Sequence, residues 1–78
     1  MRHKAVFYHA GCPVCADAQR QLLGALDAER YAVEIVHLGE QPWRIAEAAA
    51  AGVVSVPALL LDATPLHINF GAALTDLG

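Results

Sequence analysis

The spacing of apolar positions changes several times along the 78 residues, and each change marks an element. Residues 4–8, KAVFY, form a short apolar run that stops at His9-Ala10-Gly11, as a buried strand leading into a turn would. From 13 to about 28, Val14, Ala18, Leu22, Ala25 and Leu26 return at intervals of three and four, opposite Asp17, Arg20, Gln21 and Asp27. This is the pattern of an amphipathic helix. Pro13 suits its first turn, because the N–H it lacks would have had no partner there. Gly24 weakens the helix by about 1 kcal/mol relative to alanine and reads either as a close-packing site or as tolerated strain.

Residues 31–38, YAVEIVHL, predict a second strand, and Gly39-Glu40-Gln41-Pro42 breaks the chain. Residues 43–51 predict an alanine-rich helix closed by Gly52. Beyond VVSV and Pro57, residues 58–61 and 66–70 predict a hairpin around a turn at 62–65, with Leu66, Ile68 and Phe70 alternating with His67 and Asn69. Residues 71–77 leave room for about two turns of a last helix. The order is βαβαββα, an α/β domain spanning 1–78, with no repeat, low-complexity segment or internal boundary.

Composition narrows the function. A net charge of −3 with four histidines supplies no basic field for nucleic acid or an anionic membrane. No apolar run approaches the roughly 18 residues of a membrane span, and the basic start is not followed by an apolar stretch long enough for a secretory signal, so the expected location is cytoplasmic. Charged residues are 17% of the chain and hydrophobic ones 56%, against about 25% charged in a typical soluble domain. Apolar surface is expected to remain after folding. If the last helix is short, part of the sheet lacks cover, and a homodimer burying Trp43, Phe70, Leu74 and Leu77 is the expected remedy.

The chemistry lies in HAGCPVC, residues 9–15, which holds the chain's two cysteines. In a reducing compartment such a pair is seldom a permanent cross-link, and so small a loop constrains the unfolded chain little. With the helix starting at Pro13, Cys12 is its N-cap and Cys15 lies one turn on, within disulfide reach. Free N–H groups and the helix dipole at the N-cap favour the Cys12 thiolate, while Cys15 has no comparable set of donors. Cys12 is therefore the expected nucleophile and Cys15 the resolving thiol in exchange with a disulfide. Three residues before Cys12, His9 reads as a surface histidine, as a group that tunes the thiolate, or as a metal ligand in H-x-x-C-x-x-C. That cluster offers three ligands where a closed zinc site wants four.

CPVC at 12–15 resembles the C-P-x-C motif of the short glutaredoxin-like branch of the thioredoxin superfamily, and SVP at 55–57 resembles that superfamily's Ser-Val-Pro or Thr-Val-Pro. The resemblance covers essentially the whole chain. It implies a four-stranded mixed sheet flanked by helices and a thiol-disulfide oxidoreductase that needs no bound cofactor. Val56 would pair its backbone with an extended substrate segment, and Pro57, in cis, would pack against the cysteines. The partners implied are a protein or small-molecule disulfide and a thiol reductant. Departures leave that reductant open between glutathione and a reductase: His9 stands near where glutaredoxins carry a lysine, Asn69-Phe70-Gly71 replaces a glycine pair, and Gly11 replaces the tryptophan of thioredoxin. The reading of a different class is a non-catalytic module whose cysteines hold a metal, an iron–sulfur cluster or a carried thiol group.

Among the other side chains, Tyr8 reads as core, Trp43 as a packing residue at a helix start or an exposed anchor, and His67 with Asn69 as solvent-facing. Asp17 lies too far round the helix from Cys12 to serve as proton acceptor. His3 and His37 carry no assignment.

Overall fold

The computed structural model of the protein describes residues 3–11, 13–26 and 29–76, with the backbone alone at 13, 14, 69–71 and 76. Strands β1 (His3–His9), β2 (Tyr31–His37), β3 (Ser55–Leu61) and β4 (Thr64–Ala73) form one sheet in the order β2-β1-β3-β4. Helix α1 (Pro13–Ala25) carries the chain from β1 to a parallel β2, the crossover that parallel pairing demands. β3 runs antiparallel to both of its neighbours.

Both faces of the sheet are covered. This explains why β1 reads as an unbroken apolar run instead of an alternating one. Val6, Tyr8, Val36 and Ala58 pack on one side with Leu38, Ala48, Val53 and Leu74. Ala5, Phe7 and Leu59 pack on the other with Ala18, Leu22 and Leu26. The second predicted helix is a 3-10 turn (Pro42–Arg44) running into α2 (Ile45–Ala50). It ends at Gly52, whose φ of +97° is the left-handed conformation glycine tolerates.

Helix α1 stops at Ala25, ahead of the expected 28; residues 27 and 28 lie outside the described ones. The hairpin turn is tighter than expected, with Asp62 and Ala63 alone between β3 and β4.

The expected last helix does not form. β4 continues to Ala73, and only a 3-10 turn, Leu74–Asp76, follows. Ala73 and Ala72 lie opposite Ser55 and Val56, and the Leu74 N–H reaches the Val54 carbonyl at 2.9 Å. A helix of about two turns is too short to be stable by itself, so ladder pairing holds the segment. Between the pairs Val56↔Ala72 and Ala58↔His67, residues 68–71 face Pro57 alone, which makes a wide bulge. Proline has no N–H to give to the ladder, and the strand opposite it loses register there.

Candidate functional site

β1 delivers the chain to the head of α1 through His9, Ala10 and Gly11. Gly11 has φ +78°, a conformation L-residues adopt at a cost. α1 begins at Pro13; Cys12, in the expected N-cap position, lies outside the described residues. Cys15 is completely buried and held in a disulfide. It shares an apolar cluster with Tyr8, Val56 and Ala58, so α1 and the start of β3 meet at this thiol position. Val56 and Pro57 are also fully buried, the peptide bond between them is cis, and Val56 lies opposite Ala72 across the ladder.

A histidine pair stands under the loop. The parallel register sets His9 beside His37, with ring centroids 4.6 Å apart. The Gly11 N–H donates to His9 Nδ1 at 3.2 Å, and the Gly39 and Glu40 N–H groups donate to His37 Nδ1 at 3.1 and 3.3 Å. Burial, reinforced by His37 and opposed by Glu40, holds the His9 pKa below the usual histidine value. His37 went unassigned from the sequence, because what connects it to the thiol loop is the β1–β2 register. Only that register, once known, would have pointed to it.

On the α2 side the Tyr8 hydroxyl donates to Glu47 Oε2 at 2.7 Å, and Arg44 bridges Glu47 and Glu34 at 2.8 and 2.9 Å. Tyr8 is core, as its sequence position suggests, with its hydroxyl committed to this network. Trp43 is 72% exposed, which removes the packing reading. His67 is exposed, with Nε2 accepting the Val54 N–H at 3.1 Å, and Asp17 is paired with Arg20. Among the described residues no group of three His, Cys, Asp or Glu side chains is placed to hold a metal ion, and no helix is long and apolar enough to cross a membrane.

A mixed sheet in this order with helices on both faces is a thioredoxin-like fold. The likeness extends to sequence. The solution NMR structure of the dimeric thioredoxin-like protein NE0084 from Nitrosomonas europea is 57% identical, with a TM-score of 0.92, over 99% of this chain and 96% of that one. The chain belongs to the thioredoxin-like proteins. No protein-family model and no curated protein matches it.

Proposed function

We propose that the protein is a thiol-disulfide oxidoreductase working through Cys12 and Cys15. The Cys12 thiolate attacks one sulfur of a protein or small-molecule disulfide, forming a mixed disulfide and expelling the other sulfur as a thiolate. The Cys15 thiolate then attacks Cys12 Sγ, closing the Cys12–Cys15 disulfide and releasing the second substrate sulfur. Two electrons pass from protein to substrate, and an external thiol reductant restores the pair. Pro13 starts the helix whose N-terminus favours the Cys12 thiolate, and Val56 and Pro57 form the platform along which an extended substrate segment lies.

The observation that carries this reading is the burial of Cys15 beside Val56, at the start of α1, in a thioredoxin-like fold. A buried sulfur is shielded from outside disulfides, and its place three residues after Cys12 in the sequence is the spacing a resolving thiol requires. Two lone cysteines suit a reducing, cytoplasmic setting. The related protein is a dimer, which supports a homodimer here also. Cys12→Ser should abolish reduction of disulfide-bonded insulin, while Cys15→Ser should accumulate mixed disulfides visible by mass spectrometry. Adducts trapped on Cys12→Ser instead would reverse the roles, and two fully active variants would end the redox reading.

A further inference from the structure

We infer that His37 is the positioning residue of the thiol loop, holding the backbone ahead of Cys12 from beneath. The inference rests on the redox reading above and adds to it a side chain from another strand.

The imidazole is wedged between two glycines. A Cβ at Gly11 would stand 2.7 Å from His37 Nε2, and one at Gly39 2.8 Å from its Cε1. Both are closer than any Cβ is found, so only glycine at these positions lets the ring sit against the loop. The ring is itself fixed. Its Nδ1 accepts the Gly39 and Glu40 N–H groups, and His9 packs on it while accepting the Gly11 N–H. The Leu38 N–H closes the arrangement on the His9 carbonyl at 2.8 Å. The segment 9–11 is thereby tied to the end of β2 by a side-chain stack and a backbone bond.

Two donors aimed at Nδ1 mean that the tautomer with its proton on Nε2 is the one that fits. A proton on Nδ1 would turn the acceptor into a donor facing two donors.

The test is the rate of Cys12 alkylation by iodoacetamide in reduced protein at neutral pH, followed by peptide mapping. His37→Leu, which removes the acceptor, should slow alkylation about tenfold at neutral pH, because a reacting group held slightly out of place loses rate steeply. His37→Asn sets an amide oxygen near the place of Nδ1 and should recover a large part of that rate. A folded His37→Leu protein alkylated at the wild-type rate overturns the inference. So does a folded His37→Asn protein alkylated at a tenth of the wild-type rate or less, because the restored acceptor should hold the loop; that result stays readable if His37→Leu does not fold. Alkylation needs no disulfide substrate, so failure of the redox reading would appear in the insulin assay alone and failure of this one in alkylation alone.

Discussion

Two glycines that look alike in the sequence carry opposite consequences. Gly11 combines φ +78° with a Cβ position 2.7 Å from the His37 ring, whereas a Cβ at Gly24 would meet nothing within 4 Å. The close-packing explanation of Gly24 is thus removed, leaving helix propensity as its cost. Gly24→Ala should raise stability by up to about 1 kcal/mol. Gly11→Ala should lower it by at least about 1–2 kcal/mol from the backbone alone, with displacement of the His37 ring in addition. Urea denaturation of the two variants checks the pair of signs. A Gly11→Ala loss no larger than the backbone's own about 1–2 kcal/mol would mean that His37 yields freely and that the loop is not held as described.

Between elements, the main polar fastening is the network in which Arg44, from the 3-10 turn, joins Glu34 of β2 to Glu47 of α2, while Tyr8 of β1 donates to Glu47. Hydrogen bonds from Arg44 hold both carboxyls below the usual glutamate pKa, and for Glu47 the Tyr8 hydroxyl adds to the effect. Groups whose pKa falls on folding stabilise fully above their unfolded value and lose that contribution as pH falls through the folded one. For the glutamates this loss begins below the ordinary 4.5. His9, also depressed, gives an earlier loss beginning below 6.5, where the unfolded chain takes up the proton first. The urea midpoint should therefore fall in two separate steps on acidification, and Arg44→Met should shrink the lower step while sparing the upper. An Arg44→Met profile parallel to the wild type would show that these half-exposed pairs contribute little. None of this network was legible in the sequence, because its members come from four elements whose meeting depends on tertiary packing. What was legible is local: the buried run of β1, the start of α1 at Pro13, and the glycine that closes α2. The last segment departs from its expected helix for a related reason. Gly71 to Leu77 has room for a helix, but the partners that claim Ala72 and Ala73 are Val56 and Ser55 of β3, 16 and 18 residues earlier in the chain, and pairing outweighs a short helix.

For the whole molecule, loss of that helix changes where a second copy would dock. Leu74 is 5% exposed and leaves the expected contact set, while Phe70 as a side chain and Leu77 altogether lie outside the described residues. Leu66 lies opposite Leu59, which packs with Ala18 of α1, so Leu66 is on the α1 side of the edge strand β4. It is 45% exposed, and on α1 itself Leu23 is equally open. With Leu66 uncovered on that face, Leu23 exposed on α1 and the 57%-identical relative a dimer, the homodimer proposed above is expected to seat its second copy here through a self-complementary patch. Pro65 in β4 blunts the free strand edge, which disfavours extending the sheet from one copy into the next. Sedimentation should give twice the 8.3 kDa chain mass at high concentration. Leu66→Glu combined with Leu23→Glu should return it to the monomer, and Trp43→Glu should leave it a dimer. A wild type that stays at the chain mass throughout would exclude the homodimer. A dimer broken by Trp43→Glu and untouched by the double leucine variant would move the interface to the opposite side of the sheet.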